Sequence, residues 1–240
     1  MLRNRDCSSR RKPALIFPEF EKDCGYPPII PKFVVMDSQP PLAPSPRFHG
    51  EGLDRRFSLP RLPREYYQAD SVVHWTMPVA LAATGWLTKE FHAQFREITL
   101  HSAVREGLFC PIYCLMPDHI HLVWMGLRLD TDQRRALKFL REHLGPALRP
   151  HRFQHQAHDS VFREEKRRRN AFTRVCNYIL ENPVRAALVK SPQEWPFTGG
   201  VVPGCPTLHP FQANFWAKFW KIYLKARASD AGNLLRPPIN

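Results

Sequence analysis

"YCLMPDHIHLVWMGL", residues 113–127, is the stretch on which the reading of the whole chain turns. The apolar runs on either side of Pro117 and Asp118, LFCPIYCLM (108–116) and HIHLVWMGL (119–127), read as the two strands of a hairpin. Side chains alternate across a strand, so His119 and His121 share one face, about 6–7 Å apart along the chain, while Ile120, Leu122 and Trp124 take the other. Read alone, such a pair is an ordinary polar feature near a hairpin end. Two imidazoles on one side of a sheet can also offer their lone pairs to a single metal ion.

Working outward, VVHWTMPV (72–79) reads as a strand and residues 87–107 as an amphipathic helix stopped by Gly107. Residues 131–145 read as a helix with Thr131 as N-cap and Gly145 as its stop. A short strand over 159–164 precedes a long basic helix from about Lys166 to Asn182. This order of elements predicts an α+β, ferredoxin-like sandwich, a mainly antiparallel sheet with helices on one face.

The flanks differ in composition. Eleven of the 24 prolines lie in residues 1–63, without helical or strand periodicity, so this part is expected to be an extended or disordered extension, with the folded domain occupying 64–200. Residues 201–240 form a C-terminal extension whose Phe211, Phe215 and Phe219 recur at helical spacing beside Trp216, Trp220 and Tyr223. That spacing suits a helix docking on the domain; a platform for stacked bases is the other use of such a stripe.

Thirty-five Lys and Arg face 22 Asp and Glu, a net charge of +13 and a pI near 9.8. The excess points to a polyanion, nucleic acid before anionic membrane. Residues 131–190 carry 14 Lys and Arg against 6 Asp and Glu, so +8 of the +13 sits in a quarter of the chain. No stretch approaches the ~20 apolar residues of a membrane span. PALIFPEFEKD, after the basic first twelve residues, is too short and too broken to be a signal-peptide core. Six cysteines without a CxxC pair read as reduced thiols, and a soluble, cytoplasmic protein is expected.

A second constellation lies in "NYILENPVRAALV", residues 177–189. Tyr178 and Asn182 stand four apart, one helical turn above the other on a single face. Structural explanations exist for both: Tyr178 as a core aromatic, and Asn182 followed by Pro183 as the N-cap and first-turn proline of a further helix.

At YCLMPDHIHLVW, HDSVFRE, YILENPVRAALV and EWPF, in that order and over roughly residues 64–200, the chain resembles the REP-associated tyrosine transposases, a branch of the single-tyrosine HUH nucleases. The resemblance implies the HUH endonuclease fold, with His119, His121 and Asn182 holding a divalent ion and Tyr178 as the nucleophile. Tyr178 would attack a phosphodiester of single-stranded, hairpin-forming or palindromic DNA, leaving a 5′-phosphotyrosine and a free 3′-hydroxyl. Two imidazoles favour Mn, Zn or Ni by ligand chemistry, whereas the resemblance implies Mg2+, with Mn2+ as substitute. The expected DNA contacts are Lys166, Arg167, Arg168 and Arg169 at the start of the nucleophile's helix, with Arg174 and Arg185 further along. Cations at a helix N-terminus oppose the macrodipole, a local cost offset if phosphates sit there. The working unit would be a monomer or homodimer.

The chain departs from the family pattern at three places: Asp118 where Asn is usual, Ala187 where Gly is usual, and Thr198 to Gly200 where the family has Ser-Ser-Tyr. None removes a proposed catalytic residue. A domesticated, sequence-specific DNA-binding protein without turnover is the competing reading. A metallohydrolase of another kind would need further ligands from His74, His155, His158 or Asp159.

Overall fold

The computed structural model describes residues 60–162 and 171–234. The hairpin is its centre: β2 (Leu108–Leu115) pairs antiparallel with β3 (His119–Gly126), Leu115 opposite Ile120. On its other side β3 pairs with β1 (Val72–Pro78), which sets Thr76 opposite His121 and Pro78 opposite His119. β4 (His158–Phe162) flanks β1 and β5 (Thr198–Val201) flanks β2, giving the antiparallel order β4-β1-β3-β2-β5. With α1 (Lys89–Glu106) and α2 (Gln133–Leu144) as the two crossovers, the first four strands have the 4-1-3-2 order of a ferredoxin-like sandwich.

Local chemistry sets the ends of the crossovers. The Thr88 hydroxyl accepts from the Phe91 amide to start α1, and Gly107 ends it at φ 64°, in the left-handed region that glycine adopts without penalty. α2 is capped by Asp132, not by Thr131. The Asp132 carboxylate accepts from both the Arg134 and Arg135 amides, whereas the Thr131 hydroxyl is occupied, donating to the Gly107 carbonyl and accepting from the Arg128 amide. Gly145 keeps right-handed dihedrals and passes the chain into a 3-10 turn, Gly145–Leu148, so the helix tightens there instead of stopping on a left-handed residue.

The expectation of helices on one face holds for α1 and α2 alone. They cover Val73, Trp75, Met77, Ile120, Leu122 and Trp124. The opposite face carries Val72, Ile112, Cys114, Val123 and Met125, also apolar, and these are buried under α3 (Ala171–Arg185) and α4 (Phe215–Leu234). A central strand with apolar side chains on both faces needs cover on both. Phe215, Phe219 and Tyr223 of α4 point into this second core and are fully or almost fully buried, so the aromatic stripe is a docking face; Phe211 precedes the helix.

α3 runs through Asn182 and Pro183 to Arg185, so these two residues do not open a new helix. A proline costs an interior helix its hydrogen bond to the carbonyl four residues back, but near a C-terminus little of the ladder remains to be broken. The end is a Schellman motif: the Leu188 amide donates to the Pro183 carbonyl and the Ala187 amide to that of Val184, both at 2.9 Å, with Ala187 at φ 56°. The departure at 198–200 also has a local cause. A Cβ on Gly199 would lie 2.5 Å from the Tyr113 hydroxyl, which His92 and Arg96 hold in place.

Candidate metal and nucleophile site

The first residues of β3 lie beneath α3, and the strand's alternation sends His119 and His121 to that side, as the sequence predicts. Their Nε2 atoms approach to 2.9 Å. Each opposite nitrogen is tied down elsewhere. His119 Nδ1 lies 2.6 Å from Asp118 Oδ1; His121 Nδ1 lies 3.0 Å from both Thr76 Oγ1 and His74 Nε2. A carboxylate on Nδ1 fixes the tautomer with its lone pair on Nε2, the usual support of a metal-binding imidazole.

Electrostatics keep the deeper rings neutral. Burial, and then the neighbouring His119, push His74 down to about 4. Burial, followed by His74 and His119, holds His121 well below the ordinary range. The hydrogen bond from His119 holds the Asp118 carboxyl below its usual value. Two neutral imidazoles aiming lone pairs at one another across 2.9 Å repel unless a proton or a cation lies between them. The pair therefore has the donor chemistry of a cation site.

Among the described residues no cluster of three or more His, Cys, Asp and Glu side chains is arranged to hold a metal. A further protein ligand of another type would have to come from elsewhere, and α3, which packs on this face of the sheet, carries Asn182 one turn after Tyr178. Asn182 is buried, 8% exposed, and its Nδ2 has no hydrogen-bond partner among the described residues. A buried N–H donor left unpaired costs ~1–3 kcal/mol and calls for an acceptor such as a phosphate oxygen; a cation would be held through Oδ1 of the same amide.

One turn earlier on α3, Tyr178 sets its ring edge-on to His121, centroids 5.7 Å apart. The Arg185 guanidinium carbon lies over the tyrosine ring at 5.1 Å, and Arg174 is exposed one turn before Tyr178. Tyr178 is half-buried and packs at the margin of the second core. Of the expected DNA contacts, Lys166, Arg167, Arg168 and Arg169 lie outside the described residues.

No family model matches the chain, and no curated protein matches it. A solved structure of a REP-associated tyrosine transposase bound to a REP hairpin is similar to it, with 20% identity and a TM-score of 0.49, covering 57% of this chain and 81% of that one.

Three residues of the site are not evident from the motifs. Asp118 stands in the sequence as a departure from the usual Asn, yet its oxygen anchors His119. Thr76 and His74 share a face of β1, and only the register that sets Thr76 opposite His121 brings them to the site. The alternation of VVHWTMPV places them on one face; the pairing of β1 with β3 is not written in either segment. No helix among the described residues is long and apolar enough to cross a membrane, and Cys110, Cys114, Cys176 and Cys205 are free thiols.

Proposed function

We propose that the protein is a metal-dependent tyrosine transposase, a single-strand DNA endonuclease and strand transferase that works through a covalent 5′-phosphotyrosine at Tyr178. The observation that carries this reading is the convergence of His119 Nε2 and His121 Nε2 at 2.9 Å beneath the Tyr178 ring. The hairpin-forming or palindromic character of the DNA follows from the motif resemblance, and the +13 charge suits such a partner. The compartment proposed is the cytoplasm, in keeping with the free thiols.

His119, His121 and Asn182 would hold the ion, Mg2+ with Mn2+ as substitute. Two imidazole nitrogens 2.9 Å apart would be able to serve as neighbouring ligands of one divalent ion. When bound, the ion draws charge from the scissile phosphate and from the departing oxygen.

Tyr178 does the covalent work. A phenol titrates near ~10 and attacks slowly at neutral pH unless the phosphate is activated and held in line. As the bond from Tyr178 Oη to phosphorus forms, the bond from phosphorus to the 3′ oxygen breaks. The proton lost by the phenol is matched by the one gained at the 3′-hydroxyl. Arg185 places a fixed cation within reach of an anion bound at the phenol. Because the phosphotyrosine ester keeps the energy of the broken bond, a later 3′-hydroxyl can reverse the step and join a new strand.

The test is strand polarity. Single-stranded DNA labelled at its 3′ end is expected to transfer its label to the protein, while 5′-labelled DNA releases a free fragment ending in a 3′-hydroxyl. Metal-dependent binding with no labelled protein and no fragment would favour the DNA-binding protein without turnover.

A further inference from the structure

On the face of the sheet opposite Tyr178, between α2 and β1, lies a cleft of about 500 Å³ lined by Arg61, Arg134, Lys138, Arg141 and Arg152, with Glu142 as the acid among its walls. Trp75 and Phe153 supply the aromatic lining; Arg61 stacks over Trp75 at 5.3 Å and Arg141 over Phe153 at 5.7 Å. The stacking fixes the planes of both guanidinium groups, which also donate to the protein, Arg61 to Asp159 and the Ala157 carbonyl and Arg141 to the Gln154 carbonyl.

The cations outnumber their partners. Among the described residues Arg61 is answered by Asp159 at 2.6 Å, and Lys138 meets Glu142 at 3.8 Å. Arg134, Arg141 and Arg152 have no carboxylate partner there. Burial, and then the nearby Arg61, make the cleft an unfavourable place for the charge of Arg141. Like charges gathered in a concave site focus a positive field, and that arrangement is relieved by an incoming anion. A folded core gains nothing from it.

We propose that this cleft is a second nucleic-acid site that takes the phosphodiester backbone of the DNA away from the point of cleavage. The proposal rests on the reading of the protein as DNA-acting, but not on the identity of its nucleophile. Guanidinium groups suit phosphate oxygens as bidentate donors, and several in one cleft suit a run of phosphates better than a single ion. Because α1 and α2 lie on the face opposite α3, DNA engaging both sites passes around an edge of the sheet. β4 is the edge next to the cleft, and its Asp159 holds Arg61.

The test compares full-length protein with the triple variant Arg134→Gln, Lys138→Gln, Arg152→Gln, all exposed positions, using a labelled DNA hairpin with single-stranded tails over a range of salt. A control removes the same charge from the exposed face of α4 with Lys218→Gln, Lys221→Gln, Lys225→Gln. The cleft variant is expected to bind about tenfold or more weakly, with the slope of log affinity against log salt reduced by about 2 to 3. The control should change each by clearly less. Equal losses in the two variants, or an unchanged slope in the cleft variant, would overturn the proposal. So would tight calorimetric binding of inorganic pyrophosphate, lost in the cleft variant while hairpin affinity stays the same, since the cleft would then serve a free anion. Binding is read here without cleavage, so failure of the Tyr178 assignment leaves this result interpretable.

Discussion

His119 and His121 face each other through Nε2 atoms 2.9 Å apart, and each ring is anchored through its other nitrogen, His119 by Asp118 and His121 by Thr76 and His74. The arrangement is prepared for a third body between the rings, and its energetics can be probed one anchor at a time.

Asp118 is the first anchor. Asp118→Ala is expected to weaken Mn2+ binding, read by calorimetry, by ~10–100-fold, the usual cost of losing the carboxylate behind a metal-bound histidine. Asp118→Asn should cost less, because the amide oxygen still accepts from Nδ1. Equal affinities in all three proteins would remove Asp118 from the site.

Asn182 separates stability from function. Its buried Nδ2 has no partner among the described residues, so Asn182→Leu is expected to leave the urea midpoint unchanged or raise stability by ~1 kcal/mol, while Mn2+ affinity falls. A variant that is less stable but binds Mn2+ normally would make Asn182 a structural residue only.

The buried imidazoles set a pH limit on the ion-free protein. His74 is pushed from the ordinary 6.5 to about 4, so between those values the unfolded chain binds the proton and the folded protein does not. Stability is therefore complete above about 6.5 and falls as the pH drops toward 4, by roughly 3 kcal/mol from His74. His121 acts in the same direction. Urea midpoints between pH 7 and 4 should show the decline, and His74→Gln should flatten it; parallel curves would contradict the assignment.

Ala187 occupies the left-handed position that closes α3 at φ 56°. The family pattern has Gly there, and the strain of a Cβ in that conformation is on the order of 1 kcal/mol. Ala187→Gly is expected to raise stability by up to about 1 kcal/mol, some of it offset by the greater freedom of glycine in the unfolded chain. Thermal melting checks this, and a lower midpoint would mean that the turn is not strained.

Much of this architecture is legible in the residues because period-two and helical patterns report local geometry. The alternation of HIHLVWMGL places His119 and His121 on one face, and Gly107 marks a helix end. What is less legible depends on pairing between distant segments. Thr131 and Asp132 both look like caps, and only the return of the chain to Gly107 occupies the threonine. Helical cover on the second face follows from apolar residues on both sides of β2 and β3, a pattern that a short run cannot distinguish from a strand with one buried face. His74 and Thr76 join the site through register alone.

The central claim is that Tyr178 becomes covalently joined to DNA. It is tested most directly by digesting the protein after incubation with single-stranded hairpin DNA and Mn2+, then locating the adduct by mass spectrometry. The expected result is a nucleotide 5′-phosphate on the peptide containing Tyr178, absent in Tyr178→Phe although that variant still binds the DNA. An adduct on another residue, or one that persists in Tyr178→Phe, would contradict the account.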